Sequence, residues 1–158
     1  MPSLVDQLVK RKVYSAAEAD VVRATAHAAE LEARRHDAAG LRSYWSRLSD
    51  ADQRLPRVAR AAAASFVALG QDREAADLLA RSLERTWTPE LVVAFAECRP
   101  ADTTRQLEVA ESWLTEHNQD PRLLFALGVL CQRQQLWGKA QTYLEASLAL
   151  DNLSLIHI

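Results

Sequence analysis

The clearest pattern in this chain lies at residues 120–150, which read DPRLLFALGVLCQRQQLWGKAQTYLEASLAL. Asp120 can cap the free backbone N–H groups at the start of a helix, and Pro121 occupies the first helical position, where its missing N–H costs nothing. Apolar residues recur at helical spacing on both sides of a central bend, which predicts two short amphipathic helices. Gly128 and Ala140 carry almost no side chain, so we expect the two helices to cross closely at these positions.

The bend is expected near residues 136–138. The stripes on its two sides are Leu123, Leu124, Leu127, Leu130, Cys131 and Gln134, followed by Ala140, Tyr143, Leu144, Ser147 and Leu148. Neither helix can bury such a stripe by itself, so the pair requires further helices on which to pack.

Three prolines define a repeat. Pro56, Pro89 and Pro121 each open a predicted helix and are separated by 33 and 32 residues. A period of this size indicates stacked helical hairpins. Together with the Leu-Gly, Ala, Tyr-Leu and Ala-Ser-Leu pattern of residues 120–150, it resembles the tetratricopeptide repeat (TPR), a unit of about 34 residues. The predicted fold class is all-α, a right-handed superhelical stack of antiparallel helical hairpins, that is, a TPR-like α-solenoid.

The repeat divides the chain into segments. We expect a short helix within residues 1–14, a degenerate helical hairpin at 15–55, and three TPR-like repeats at 56–88, 89–120 and 121–152. The last segment, LSLIHI at 153–158, is apolar and lacks helix-starting residues. It resembles translated sequencing-adapter read-through, so we expect a non-native tail and assign His157 no role.

Capping residues locate the other helix starts. Ser15 and Glu18 form a capping box for a long Ala-rich helix. Asp72 is expected to cap the second helix of the first repeat, and Thr103 with Gln106 forms another capping box. The predicted buried face of the Ala-rich helix contains Val21, Thr25, Ala28 and Leu31.

Composition and charge exclude several classes of function. The chain has 158 residues, with 19 basic and 21 acidic side chains and no basic block that could neutralise a nucleic-acid backbone. No run approaches the ~20 apolar residues of a membrane span, so the chain as given is expected to be soluble. Cys98 and Cys131 have no His or Cys partner at ligand spacing, which argues against a zinc site or a disulfide framework.

No arrangement of residues points to catalysis. The four histidines lie far apart in the sequence, and the chain has neither a glycine-rich phosphate loop nor a paired-carboxylate motif. Ser65, Ser82 and Ser147 occupy repeat positions where small residues are expected for packing. We therefore predict no enzyme activity, no catalytic residue, no metal site and no required cofactor.

Four tryptophans, Trp45, Trp87, Trp113 and Trp137, have two interpretations. A large ring near a turn can pack between neighbouring hairpins. An exposed ring can instead form the centre of a protein-binding surface.

The candidate partner-binding groove lies on the first helix of each hairpin, because these helices line the concave surface of such a stack. Its members lie off the buried stripes and are Arg57, Arg60, Val93, Glu97, Phe125, Val129 and Arg133. This groove would combine an apolar floor with mixed charge. Arg57 and Arg60 could bind an acidic group of the partner.

The chain also resembles one particular family. Residues 113–150 are similar to the C-terminal TPR region of the proteobacterial HemY family, proteins associated with late haem biosynthesis. The segments that carry the resemblance are Trp113-Leu114, Asp120-Pro121, Leu127-Gly128, Leu136 to Ala140 and Tyr143 to Leu148, and upstream Gly40 to Arg42, Trp45, Leu48 and Pro56 to Val58. Asn118 departs from the family, which usually has proline there.

This resemblance implies an inner-membrane protein in which two N-terminal transmembrane helices precede the TPR region, with the cytoplasmic side favoured for that region. Those helices are missing from this chain, so we expect it to be a fragment. The resemblance also implies a scaffolding or regulatory role, with no catalytic residues to transfer.

Two hypotheses of function follow. In the first, the module is a scaffold that binds a protein partner, such as an enzyme of the haem pathway. In the second, it binds or transfers a tetrapyrrole, with haem held by His117 or Cys131 and with Trp and Arg side chains around the macrocycle.

Overall fold

The computed structural model describes residues 3–10 and 15–156, and within these residues every regular element is a helix. The helices are α1 (Leu4–Lys10), α2 (Ala16–Ala33), α3 (Ala38–Arg47), α4 (Asp50–Gln53), α5 (Pro56–Ala68), α6 (Asp72–Arg85), α7 (Pro89–Glu97), α8 (Thr103–Ser112), α9 (Leu114–His117), α10 (Pro121–Arg133) and α11 (Trp137–Ile156). The chain forms two compact units, an N-terminal unit that ends at Gly70 and a C-terminal unit that begins at Gln71. The all-helical prediction is confirmed.

In the N-terminal unit, α2 packs along α5, while α3 and α4 pack on α5 and α1 packs on α2. Its buried apolar residues are Ala19, Ala24, Leu31, Leu41, Val58, Ala59, Ala62, Ala63 and Phe66. The small alanine side chains allow α2 and α5 to approach closely. Ser65 of α5 is buried and its Oγ donates a hydrogen bond to the Leu31 carbonyl at 3.0 Å. The same carbonyl accepts the Arg34 N–H at 3.1 Å, so Ser65 is its second donor at the end of α2.

The predicted buried face of α2 was partly wrong. Ser15 does cap the helix, since its Oγ accepts a hydrogen bond from the Glu18 N–H at 3.2 Å, but Val21 is 63% exposed and Thr25 is also exposed. The face toward the rest of the unit instead contains Ala24 and the half-buried His27. Hydrophobic periodicity could not find this face because polar side chains complete it.

In the C-terminal unit, α7 packs on both α6 and α10, and α10 also packs on α8 and α11. The fully buried side chains of this unit include Leu79, Leu91, Val92, Cys98, Leu123, Leu127, Leu130 and Cys131. Leu91, Val92, Phe95 and Ala96 of α7 are all buried. The stripe of α10 is likewise buried from Leu123 to Cys131.

The α10–α11 hairpin has most of the features expected of it. The Asp120 carboxylate accepts hydrogen bonds from the backbone N–H groups of Arg122 and Leu123 at 2.9 and 3.4 Å, and Pro121 is the first helical residue. A Cβ placed on Gly128 would lie 2.6 Å from Leu144 Cγ, so the two helices do approach closely there. The hairpin is closed at its other end by a 2.7 Å hydrogen bond from Ser147 Oγ to the Pro121 carbonyl.

The turn between α10 and α11 lies slightly earlier than residues 136–138. Gln135 has a φ of 60°, in the left-handed region, and the Leu136 N–H donates to the Cys131 carbonyl at 2.9 Å, which closes the end of α10. Gly138 already belongs to the first turn of α11. A glutamine therefore occupies the position at which glycine is usually found.

Replacing Gln135 with glycine should raise the free energy of unfolding by about 1 kcal/mol, because glycine adopts a positive φ without the steric cost of a Cβ. Gly70 has a φ of 73° and serves as the matched reverse control. Nothing lies within 4 Å of a Cβ built on Gly70, so Gly70→Ala should lower the free energy of unfolding by a similar amount through backbone strain. Urea unfolding followed by circular dichroism measures both variants, and equal stability of Gln135→Gly and wild type would contradict the assignment.

Two predicted caps were wrong. Asp72 is the first residue of α6, not its cap, and its Oδ2 accepts the backbone N–H of Arg99 at 2.8 Å. At α8 the cap is Asp102, whose Oδ1 accepts the Arg105 N–H at 3.0 Å. The expected partner Gln106 is buried, and its amide donates to two carbonyls at the end of α7 at 2.9 Å each. In both cases the polar side chain binds the backbone of a neighbouring segment, which local spacing cannot reveal.

The ends of α1 and α11 can be set beside the predicted segment boundaries. α1 falls within residues 1–14, although residues 11–14 lie outside the described residues, as does His157. α11 runs without a break from Trp137 to Ile156, past the expected end of the last repeat at residue 152. The short helices α4 and α9 were not predicted. No described helix combines the length and apolar character needed to cross a membrane.

Candidate binding surfaces

An open groove of about 420 Å³ lies between α2 and α5 in the N-terminal unit. Its floor is formed by Ala28, Ala29, Ala61 and Ala64, and its edges by Thr25, Glu32, Arg57 and Arg60. An alanine floor allows a bound chain to approach the helix backbones closely, since no larger side chain stands in the way. The structure thus brings together two of the predicted site residues, Arg57 and Arg60.

The two arginines at this groove differ in their surroundings. Arg57 Nη1 donates a hydrogen bond to Thr25 Oγ1 at 2.9 Å, which holds Arg57 across the groove from α5 to α2. Arg60 is exposed at the edge one turn further along α5. Glu32 supplies a negative charge at the same groove. A partner segment that carries an acidic residue beside Arg60 would therefore have charge complementary to this edge of the groove.

The predicted residues of α7 and α10 lie in the C-terminal unit, where these two helices pack on each other. Val93 and Val129 are half-buried and Glu97 is exposed. Arg133 Nη1 donates to the Cys98 carbonyl at 3.0 Å, and burial lowers the pKa of the Arg133 guanidinium. Arg133 is therefore a second donor, beside Gln106, to a carbonyl just beyond the end of α7, and this contact is within the chain.

Phe125 belongs to a different surface. It is 47% exposed and borders a shallow groove between α10 and α11 together with Leu144 and Leu148. Leu148 is 62% exposed. Sequence spacing placed Phe125 on the same face of α10 as Val129, but it could not show that α11 supplies its apolar neighbours.

Trp87 and Trp113 have packing roles in the C-terminal unit. The Trp87 ring stacks on His117 with centroids 3.7 Å apart and an interplanar angle of 6°, and it meets Trp113 edge-on at 5.7 Å. Trp87 Nε1 also donates to Asp120 Oδ2 at 2.7 Å. The turn before α7 is thereby fixed to the start of α10. Trp137, in contrast, is 64% exposed.

A polar cluster in the N-terminal unit was missed by sequence reasoning. The His27 ring lies 2.8 Å from Tyr44 Oη through Nδ1 and 3.2 Å from Asp52 Oδ2 through Nε2. Arg23 lies 3.7 Å from Asp52 Oδ1, and the Arg34 guanidinium sits 4.4 Å above the Tyr44 ring. Burial raises the pKa of Tyr44. The cluster joins α2, α3 and α4. Its sequence signal was limited to a histidine, His27, within an alanine-rich helix.

The proposed haem ligands are poorly placed for ligation. Cys131 is fully buried, and burial raises the pKa of its thiol. Burial likewise raises the pKa of Cys98 to about 12. A thiol ligates metals as the thiolate, which these surroundings disfavour. One face of the His117 ring is covered by Trp87, and the described residues contain no cluster of three or more His, Cys, Asp or Glu side chains arranged to hold a metal ion.

Comparisons of the chain with protein-family models, with curated proteins and with solved structures found no match.

Proposed function

We propose that this chain is a TPR-like scaffold module and that the α2–α5 groove binds a segment of a protein partner. The observation that carries the proposal is the pairing of α2 with α5 around a groove with an alanine floor and arginines at its edge. In the C-terminal unit, α7 and α10 also pack on each other. Such pairing supports a superhelical stack in which the first helices of successive hairpins line one surface.

The chemistry of the groove defines the partner segment. Small side chains on the floor favour an extended chain or a helix that presents small residues, since either can lie close to α2 and α5. Arg60 adds a preference for an acidic residue, and the fork of a guanidinium can bind a carboxylate in two places. The proposal assigns no catalytic residue.

The proposal extends to a biological setting. We infer that the chain is the TPR region of a HemY-type protein linked to late haem biosynthesis at the bacterial inner membrane, with a haem-pathway enzyme as its partner. Support comes from the motif residues, because Asp120 caps α10, and Gly128 and the buried Ala140 lie where α10 and α11 approach each other. The alternative of a tetrapyrrole carrier has less support, since Cys131 is buried and His117 is stacked on Trp87.

Reversing the charge of Arg60 should weaken partner binding about tenfold, because the acidic segment would then meet a like charge. The measurement is a quantitative pull-down from a native bacterial membrane extract with tagged wild-type, Arg60→Glu and Arg81→Glu chains, followed by mass spectrometry. Arg81 is an exposed arginine of α6 outside this groove, so Arg81→Glu makes the same charge change as a control.

The pull-down distinguishes the two parts of the proposal. Equal recovery of each specific partner by wild type and Arg60→Glu would exclude the α2–α5 groove as the binding surface. Recovery of partners with no enzyme of the haem pathway among them would contradict the biological setting but leave the groove in place.

A further inference from the structure

The outward surface of the α10–α11 hairpin carries an apolar patch between two opposite charges. Phe125 and Leu148 are 47% and 62% exposed, and the half-buried Leu144 lies between them in one shallow groove. Arg122 of α10 and Asp151 of α11 border the same groove and are both exposed. We call these five residues the end surface.

The two helices contribute to the end surface in antiparallel directions. Ser147 Oγ bonds to the Pro121 carbonyl at 2.7 Å, so the start of α10 lies beside the later part of α11. The positive charge and Phe125 therefore lie on one helix of the pair, and Leu148 and the negative charge lie on the other. A rotation of 180° about an axis that runs along the hairpin exchanges these two halves.

We propose that the end surface binds a second copy of this chain through such a two-fold axis. The α10 helix of one copy then lies antiparallel to α11 of the other, as in a four-helix bundle. Phe125 packs against Leu144 and Leu148 of the second copy. Arg122 meets Asp151 of the second copy, and by symmetry the same ion pair forms twice.

Charge complementarity favours a second copy over other occupants. A purely acidic or purely basic partner would pair with one of the two charges and be repelled by the other. An anionic membrane would meet only one arginine and an opposing aspartate at this surface, which is too little positive charge for stable attachment. The end surface is complementary to itself because each helix carries one sign.

The apolar part of the proposal is tested by analytical ultracentrifugation across a dilution series. Wild type should sediment with a mass approaching twice 17.6 kDa at high concentration, and Leu148→Glu should remain a monomer. Leu4 is 71% exposed and lies in the N-terminal unit, so Leu4→Glu is the matched control and should dimerise like wild type. A monomeric wild type at the highest concentration, or a Leu148→Glu chain that still dimerises, would overturn the proposal.

Charge-reversal variants test the proposed ion pairs between Arg122 and Asp151 of the two copies. Arg122→Asp alone and Asp151→Arg alone should each raise the dissociation constant about tenfold, because each places like charges opposite one another twice. The double variant Arg122→Asp/Asp151→Arg should return to within about twofold of wild type, since it restores both pairs with reversed sign. A double variant as weak as the single variants would exclude the two-fold arrangement.

Unfolding does not account for the effects expected of the single variants. An acidic residue in the first turn of α10 and a basic residue in the last part of α11 are both favourable with respect to the helix dipole. Circular dichroism should therefore show unchanged helix content in all three charge variants. If the second copy is not the occupant, wild type stays monomeric and the proposal fails on the first measurement.

Discussion

Gly128→Val should lower the free energy of unfolding by about 2–3 kcal/mol, because the valine side chain has no room where α10 crosses α11. A Cβ at residue 128 would lie 2.6 Å from both Cγ and Cδ2 of Leu144 and 3.4 Å from the Ala140 carbonyl oxygen. Overpacking of this kind costs about 1–3 kcal/mol, and valine adds two further methyl groups. The gain in helix propensity over glycine, about 0.5 kcal/mol, offsets only part of this cost.

Gly138→Val is the matched control for this substitution. Gly138 lies in the first turn of α11 and nothing lies within 4 Å of a Cβ built on it, so valine there should change stability by less than about 0.5 kcal/mol. Urea unfolding followed by circular dichroism measures both variants. Leu144→Ala in the Gly128→Val background should recover part of the loss, and similar effects at residues 128 and 138 would show that the helices do not cross closely at Gly128.

Asp120→Ala should lower the free energy of unfolding by about 2–3 kcal/mol, because one carboxylate performs two tasks. It caps α10 through the Arg122 and Leu123 N–H groups, and loss of a cap costs about 1 kcal/mol. It also accepts the Trp87 indole N–H at 2.7 Å, and a hydrogen bond to a charged group contributes about 1.5–3 kcal/mol. Because Trp87 is partly exposed, we expect the total loss of unfolding free energy to lie near the lower end of the sum of these two contributions.

Two further variants separate these tasks. Asp102 caps α8 by accepting the Arg105 N–H, so Asp102→Ala should cost only the ~1 kcal/mol of a lost cap. Trp87→Phe removes the indole donor, and the double variant with Asp120→Ala completes a cycle whose coupling energy should be about 1 kcal/mol or more. A coupling near zero would show that the indole bond adds nothing to stability.

Local chemistry near single residues was predicted well from the sequence. Asp120 and Pro121 start α10, and Gly128 lies at a close crossing. Each of these features depends on properties of the residue type itself, such as a capping oxygen, a fixed φ or a missing Cβ. The apolar stripe of α10 was also predicted, because burial along a helix follows its periodicity.

Features that depend on residues distant in the sequence could not be predicted in this way. Asp72 binds the Arg99 N–H and Gln106 binds the end of α7, although both looked like local caps. The cluster of His27 with Tyr44 and Asp52 joins residues up to 25 positions apart. The choice of partner for a polar group is made by the packing of helices, which sequence spacing does not specify.

The candidate binding residues were likewise predicted only as far as their own helices determine them. The spacing of Arg57 and Arg60 places them one turn apart on α5, and the structure adds the alanines of α2 that complete their groove. Phe125 was placed on the exposed side of α10, where it is found, but its apolar neighbours come from α11. The exposure of a side chain can be predicted from the periodicity of its own helix. The surface to which that side chain belongs depends also on the neighbouring helix.

The hydrogen bonds between successive hairpins have a consequence for how this chain folds. Ser65 with Leu31, Trp87 with Asp120 and Arg133 with Cys98 join residues 34, 33 and 35 positions apart. These separations are about one repeat long, so each loop that closes during folding is short and its entropic cost is modest. Contact order of this kind is associated with rapid folding. Each unit can therefore acquire its native contacts while still being synthesised, once roughly one further repeat has followed.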